Sequence, residues 1–312
     1  MKVFDLVFSA SFLYAIIRAA TPLLLATMGS VLSTNAGTLN ITLEGMMLMG
    51  ALAGVLVSAA TQSVILGVLG AVCVSVLVAA LMAAMTLRFS GNAMLCGLAV
   101  NMFASGGTVF LLYAFTGQKG NSVSVPSLVV PNVEIPLIKD IPVLGEALSG
   151  HNLLTYLAIV LTVVVIVLVN RTPYGLHLRA VGKNENAARS IGISVPRIQT
   201  SAWLLCGVLC GLAGAFMSMG YVSWFTRDMT ASRGWIALAA SSLGQGRPLA
   251  SALAAILFAV AEALANVLGL LEMPGNLIRT IPYFATLVIL VISSVYGGKK
   301  VKSSKNRHLT ET

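Results

Sequence analysis

Charged residues are scarce in this chain, and their scarcity excludes an ordinary soluble protein. Asp, Glu, Lys and Arg together make up 9% of its 312 residues, whereas a typical soluble domain carries about 25%. So few charges cannot cover a surface that faces water, and the apolar runs must therefore face lipid or one another. The composition indicates a membrane domain built from several helices.

Catalytic and nucleotide-binding motifs are also missing. The sequence contains no G-x-x-x-x-G-K-[ST] phosphate loop, so we do not expect this chain itself to hydrolyse ATP. Neither H-E-x-x-H nor G-x-S-x-G occurs, and the three His lie far apart. The four Cys lie in apolar runs without metal-ligand or redox spacing. We therefore predict a non-catalytic protein with no metal or cofactor of its own.

Long apolar runs define the expected fold. Runs of about 18 residues or more are typical of spanning helices, and they occur near 12–32, 41–60, 64–87, 91–116, 152–170, 198–220, 249–271 and 280–297. A shorter stretch at 234–243 indicates a half-helix or a re-entrant element. The predicted fold class is an all-α polytopic membrane protein. One transmembrane domain would cover 1–297, with about eight or nine membrane helices.

The basic residues indicate how the chain is oriented. Lys and Arg number 19 against 10 Asp and Glu, and they concentrate in the segment 171–197 and in the basic tail 298–312. The positive-inside rule places both in the cytoplasm. The Pro-rich segment 117–150 is then an external loop with a short helix or strand pair, and either a docking surface or a plain connector. Membrane lipid is an expected partner, and nucleic acid is not.

The stretch 35–47, NAGTLNITLEGMM, brings polar residues and glycine beside a spanning run. Asn40 is a candidate cap for the following helix, and Glu44 would lie in its first turn, where the helix dipole favours a carboxylate. Gly45 permits close backbone approach. Two interpretations remain open. The stretch is either a helix break beside a translocation pathway, lined by Asn35, Asn40, Glu44 and Gly45, or a capped helix in a tight crossing.

The stretch 233–248, RGWIALAASSLGQGRP, is a second interrupted element, in the other half of the chain. It predicts a short apolar helix closed by Gly and Pro. Paired interruptions of this kind point to a substrate route between structural repeats. Trp235, Ser241 and Ser242 are its pathway candidates.

Glu262 lies inside the apolar run 249–271. A carboxylate in such a position is a candidate functional residue, because an unpaired charge there is costly. It either contributes to the pathway or pairs with Arg18 or Arg279.

The segment 171–197 is far longer than an ordinary loop between helices. Within it, Asn184 as a cap and Gly192 as a stop predict two short helical turns. A short amphipathic helix can lie in a groove on a partner, so the segment either docks a cytoplasmic motor or merely sets orientation by its charge. The candidate docking residues are Gly182, Asn184, Ala187, Ala188, Arg189, Gly192 and Ile193.

Three segments together resemble the branched-chain amino acid and simple-sugar permease superfamily of ABC transporters. They are NAGTLNITLEGMMLMG at 35–50, PYGLHLRAVGKNENAARSIGISVPR at 173–197 and RGWIALAASSLGQGRP at 233–248. The first is most similar to the nucleoside-uptake branch. The second is similar to the region with which such permeases contact their ATPase.

The resemblance implies an importer in the bacterial inner membrane, with a fold like that of the vitamin B12-type (type II) importers. It implies two permeases, usually different chains in the nucleoside branch, and a cytoplasmic ATPase that binds ATP and Mg. It also implies an external substrate-binding lipoprotein or periplasmic protein. The expected function is translocation of a small polar solute, namely nucleosides.

Two alternatives accompany this expectation. The first is a permease for simple sugars such as ribose, or for branched-chain amino acids. The second is an ion-coupled secondary transporter, in which Glu44 and Glu262 would bind protons or sodium.

Overall fold

A computed structural model describes residues 10–125, 127–134 and 149–269, which are mostly helical. Its α-helices are α1 (Ala10–Asn35), α2 (Leu43–Thr61), α3 (Val64–Ala83), α4 (Ala93–Thr116), α5 (Leu153–Arg171), α6 (Pro173–Lys183), α7 (Glu185–Ser190), α8 (Val195–Phe216), α9 (Arg233–Leu243) and α10 (Pro248–Gly269). Helices α3 and α8 continue into single π-helical turns, Ala84–Arg88 and Met217–Tyr221. Among the described residues, seven helices are long and apolar enough to cross a bilayer.

The apolar runs predicted from the sequence correspond to these helices as far as residue 269. The all-α polytopic fold is thereby confirmed. The stretch 234–243 lies in α9, whose 11 residues span about 16 Å, half of a hydrocarbon core of about 30 Å. It is therefore a half-helix, as predicted. The expected span 280–297 and the basic tail 298–312 lie outside the described residues.

Helices α1 and α8 occupy the centre of the bundle. In their most apolar windows, 78% and 83% of the residues are buried. Small residues allow α8 to approach its neighbours, since a Cβ added to Gly50 of α2 would lie 3.3 Å from the Cα of Gly211. Close backbone packing of this kind stabilises helix pairs in lipid, where the hydrophobic effect contributes little.

Helices α3, α4 and α5 form the periphery. Their outer faces expose large apolar side chains, including Ile65 at 72%, Met102 at 76% and Val160 at 57%. Exposing such surface to water would cost about 25 cal/mol per Å², whereas lipid tails solvate it. The outer faces therefore suit lipid or another membrane subunit.

A short strand pair joins the segment after α4 to the start of α5. Strands β1 (Asn132–Val133) and β2 (His151–Asn152) are antiparallel, with Asn132 opposite Asn152. The Asn152 side chain also caps α5, because its Oδ1 accepts from the N–H of Leu154 at 3.0 Å. The predicted strand pair in 117–150 is thus present in part, and residues 135–148 lie outside the described chain.

The segment 171–197 is more helical than its sequence suggested. Helix α6 was not predicted, and it starts where the Thr172 Oγ1 accepts from the N–H of Gly175 at 3.2 Å, with Pro at the first helical position. Helix α7 was predicted, and the Asn184 Oδ1 caps it by accepting from the N–H of Ala187 at 3.0 Å. Gly192 follows with a positive φ of 85°, as the predicted stop requires.

Candidate functional site

The chain between α1 and α2 is non-helical over residues 36–42, here called the break. Its second half is buried in the bundle, with Asn40, Ile41 and Thr42 at 1%, 5% and 0% exposure. The Asn40 Nδ2 lies 3.2 Å from the Sγ of Cys206, near the middle of α8. Non-helical backbone at such depth is tolerated only where protein or a water-filled cavity surrounds it. The predicted helix interruption is therefore real.

Asn40 does not cap α2, contrary to expectation. Its Oδ1 accepts from the N–H of Thr42 at 3.0 Å and from the Thr42 hydroxyl at 2.6 Å. The helix starts only at Leu43, so Asn40 is too far from the first turn to reach its N–H groups. Instead it closes a local turn that holds the break in shape.

Asn101 of α4 satisfies the backbone of the break from outside. Its Nδ2 donates to the carbonyl of Ile41 at 2.9 Å, and its Oδ1 accepts from the N–H of Gly45 at 2.9 Å. A Cβ at Gly45 would lie 2.8 Å from that oxygen, so glycine is what lets the amide approach. Asn101 was not among the predicted residues, although a single amide inside an apolar span was a usable signal.

Glu44 lies in the first turn of α2, as predicted, and its carboxylate reaches the start of α9. Its Oε1 accepts from the Thr230 hydroxyl at 2.6 Å and from the N–H of Ser232 at 2.9 Å. Its Oε2 accepts from the N–H of Gly234 at 2.7 Å. Two helix N-termini thus converge on one carboxylate, which offsets the positive end of both dipoles and satisfies free N–H groups.

Close packing accompanies these hydrogen bonds. A Cβ added to Gly234 would overlap the backbone nitrogen of Glu44. The two interrupted elements found in the sequence are therefore in direct contact, through a glycine that leaves room for the partner backbone.

Glu262 pairs with Arg233, the first residue of α9, and not with Arg18. The two side chains are only 13% and 11% exposed, so the ion pair is largely buried. Arg18 instead donates to the Tyr221 carbonyl and lies 4.1 Å above the Tyr221 ring; Arg279 lies outside the described residues. Neutralisation by Arg233 explains why a carboxylate is tolerated inside α10.

Two charges lie at mid-depth on the surface of the described bundle. Asp228 accepts from the hydroxyl of Ser105 at 2.7 Å, and Ser105 is near the middle of the 24-residue α4. The side chains of Arg227 and Asp228 are 67% and 51% exposed. A charge against lipid at this depth costs at least about 2.5–3.5 kcal/mol, so this patch requires water or protein. Neither Arg227 nor Asp228 was predicted as a site residue from the sequence.

The predicted candidates in α9 point in different directions. Trp235 is 39% exposed and Ser242 is also exposed. Ser241 is 1% exposed, and its hydroxyl has no hydrogen-bond partner in the described part of the chain. Trp235 and Ser242 are therefore available to a solute or partner, and Ser241 faces the protein interior.

Asn35 joins the other end of α9 to α1. Its Nδ2 donates to the carbonyl of Gly246 at 2.7 Å and to that of Val31 at 2.8 Å. Helix α9 is thus held at both ends by residues that flank the break. Glu44 binds the N–H of Gly234 at the start of α9, and Asn35 binds the carbonyl of Gly246 just after its end.

Helix α6 packs directly on the start of the break. A Cβ at Gly182 would overlap the Asn35 carbonyl, and a Cβ at Gly37 would lie 3.0 Å from the Cα of Gly182. The hydroxyls of Tyr174 and Ser201 are 2.8 Å apart and join α6 to α8. Burial raises the pKa of Tyr174, so this phenol stays protonated at neutral pH.

The predicted docking residues in α7 and just after it are of two kinds, exposed and buried. Ala187, Arg189 and Gly192 are exposed and free to meet a partner. Ala188 is 2% exposed and packs with Val181 and Val195 of its own chain. Of the two alanines predicted for docking, Ala188 therefore stabilises the segment from within.

The remaining predicted docking residues divide in the same way. Gly182 and Asn184 are exposed, while Ile193 is partly buried against the small cluster around Ala188. Ile191, which was not predicted, is 73% exposed.

The fold and the site define a polytopic membrane permease. A bundle of spanning helices encloses a buried helix break, the break meets a half-helix, and a short capped helix projects at one end. The chain belongs to the family described as branched-chain amino acid transport system / permease component, whose model matches residues 12–293. It is therefore a multi-pass, non-catalytic permease subunit of an ABC transporter.

Curated relatives agree with this family. The nucleoside ABC transporter permease protein NupC of Lactococcus lactis is 30% identical over 88% of this chain and 89% of its own length. The guanosine ABC transporter permease protein NupQ of Bacillus subtilis is 30% identical over 93% of this chain and 92% of its own length. The provisionally named glucose ABC transporter permease protein TsgC13 of Haloferax volcanii is 31% identical over 91% of both. No solved structure matches the chain.

Proposed function

We propose that this chain is one of two permease subunits of an ATP-driven importer that carries nucleosides across the bacterial inner membrane. The observation that carries the proposal is the contact between Glu44 and the start of α9. It couples the break to a half-helix at mid-depth, where discontinuous helices typically form transport sites. Alternating access would move these two elements relative to each other.

The exposed patch of Arg227 and Asp228 supports a pathway beside the second permease. Charges at mid-depth cannot remain against lipid, and a homologous, different subunit would enclose them in a polar passage. Ser105 and Trp235 are the further lining residues that we assign to this pathway. Two of the three relatives described above are named for nucleosides or guanosine, which supports this class of solute.

The ATPase would dock on the exposed face of α7. ATP and Mg bind on that partner, since this chain has no phosphate loop. Movement of Ala187 and Arg189 with the ATPase would reach the break through α6, because Gly182 touches the backbone of Asn35.

The solute would reach the permease from an external substrate-binding lipoprotein or periplasmic protein. The segment 117–150 is the surface that we propose for its docking. Orientation supports this arrangement, because the basic segment 171–197 and tail 298–312 then lie in the cytoplasm.

A sugar permease is the second candidate function, since the name of the Haloferax relative gives glucose. An ion-coupled transporter fits the site less well. Glu44 accepts three hydrogen bonds from the protein, and Glu262 is paired with Arg233, so both carboxylates already have partners within the chain.

The test is uptake by the complete importer in liposomes. The chain is purified with a second permease, an ABC ATPase and a substrate-binding protein from the same organism, and radiolabelled guanosine and glucose are offered with ATP inside or outside. We expect guanosine uptake that requires ATP on the ATPase side and the binding protein on the other. Uptake of glucose without uptake of guanosine would show that the solute is a sugar. Gradient-driven uptake by this chain without an ATPase would overturn the proposal.

A further inference from the structure

We propose that Gln199 is a positioning residue that transmits movement of α7 to the break. The inference rests on the proposed function, because it assigns a role within ATP-driven transport. Gln199 lies in the first turns of α8, between the projecting helix and the end of α1.

The amide nitrogen of Gln199 has two hydrogen-bond acceptors, one on each side. Its Nε2 donates to the Glu185 Oε1 at 2.7 Å and to the Ala36 carbonyl at 3.3 Å. An amide nitrogen carries two hydrogens, so each is committed to one partner. Gln199 is 5% exposed, so its side chain is buried, whereas Glu185 is exposed.

Each partner belongs to an element that the proposed mechanism moves. Glu185 is the first residue of α7, the helix assigned to ATPase docking. Ala36 is the first residue of the break, immediately after α1. The Ala36 carbonyl lies at the end of α1, where carbonyl groups lack intrahelical donors. One side chain thus connects the docking helix to the element that meets α9.

The other side-chain hydrogen bonds of α7 and its cap stay within that short segment. Asn184 accepts from Ala187, and Ser190 donates to the carbonyl of Asn186. Among the described residues, the side-chain hydrogen bond from α7 to the bundle is therefore the one between Glu185 and Gln199. The Asn184 N–H also donates to the Ala180 carbonyl of α6 at 3.1 Å, and Ala188 makes an apolar contact.

The charge of Glu185 strengthens its hydrogen bond with Gln199, which favours transmission of movement from α7. A hydrogen bond to a carboxylate is charge-assisted and about twice as strong as a neutral one. A shift of α7 by a fraction of a helical turn either pulls the Gln199 side chain along or breaks the bond. Displacement of the Gln199 amide, either drawn along with Glu185 or released from it, alters its hydrogen bond to the Ala36 carbonyl at the start of the break.

The experiment compares Gln199→Leu with wild type in the complete reconstituted importer. Leucine keeps a buried apolar stem and removes both donors. The readout is the number of solute molecules imported per ATP hydrolysed, with ATPase binding measured by co-purification. We expect this ratio to fall about tenfold, within the usual range of coupling free energies.

Two further variants separate transmission from folding. Glu185→Gln keeps an oxygen that accepts from Gln199 and should retain most of the ratio, whereas Glu185→Leu should lower it like Gln199→Leu. The double variant Gln199→Leu/Glu185→Leu should be no worse than Gln199→Leu, because that change already removes the bond to Glu185. Asn170→Leu, which also replaces an amide by leucine but at an exposed position of α5, is the control.

The outcomes are distinct. If Gln199→Leu lowers assembly, hydrolysis and uptake in parallel while the ratio stays unchanged, Gln199 is only structural and the inference is wrong. An unchanged ratio with normal assembly overturns it as well. If wild type shows no ATP-dependent uptake of any solute, the proposed function fails instead.

Discussion

The carboxylate of Glu44 accepts a hydrogen bond from the backbone N–H of Gly234 at 2.7 Å, across a separation of 190 residues. The same carboxylate accepts from Thr230 and Ser232. One acidic side chain therefore holds the first turn of α2 against the first turn of α9. These hydrogen bonds therefore oppose separation of the two interrupted elements.

Glu44→Gln should impair both stability and transport. The glutamine amide offers one acceptor oxygen in place of two, and its NH2 group would face a donor. Hydrogen bonds to a charged group are each worth about 1.5–3 kcal/mol, so we expect destabilisation of about that size and strongly reduced uptake. Thermal unfolding in detergent and uptake in liposomes measure the two effects. Full activity with unchanged stability would show that the carboxylate is dispensable.

Gly234→Ala should disrupt the same contact by steric overlap. The added methyl group would meet the backbone nitrogen of Glu44, which cannot move without shifting α2. Overpacking of this kind costs about 1–3 kcal/mol. Gly106→Ala is a matched control in α4, because no atom lies within 4 Å of its added Cβ. Equal stability of the two variants, measured by thermal unfolding, would contradict the packing argument.

Local sequence pattern was sufficient to predict the spanning helices among the described residues and the short helix α7. Apolar runs of bilayer length predicted the long helices, and the Asn184 cap and Gly192 stop predicted the short one. Helix α6 was missed because its 11 residues mix apolar and polar types and form no long apolar run, although Thr172 before Pro173 was a usable start signal.

Partners across the chain could not be predicted from local pattern. The sequence shows that Glu262 needs a cation, but only the fold selects Arg233 over Arg18. Asp228 follows Arg227 in a segment that looks like an ordinary loop, and its depth becomes visible only through Ser105. Asn40 was assigned to the wrong role because the helix starts later than the cap pattern suggested.

Ala187→Asp and Ala188→Asp should have different effects although the residues are adjacent. Ala187 is exposed, so its replacement should weaken ATPase docking and leave the stability of the permease unchanged. Ala188 is 2% exposed, so its replacement buries a charge among Val181 and Val195 and should destabilise the chain by about 2 kcal/mol or more. Co-purification of the ATPase and thermal unfolding of the isolated chain distinguish the two. Equal loss of stability in both would mean that α7 packs differently.

Asp228→Cys should be accessible to a charged thiol reagent in the assembled importer. The exposed position at mid-depth requires an aqueous passage if a solute path lies there. The experiment uses a chain in which Cys73 and Cys96 are replaced by Ser, since both native thiols are at least partly exposed. Leu77→Cys is the control, because Leu77 is 62% exposed on the apolar outer face of α3.

We expect rapid labelling at position 228, slower labelling when saturating solute and binding protein are present, and none at position 77. The reagent cannot enter lipid, so labelling reports water at that depth. Protection of position 228 under every condition would place it in a dry contact with the second permease. The solute pathway would then have to run elsewhere. Ser105 and Trp235 could no longer be assigned to its lining.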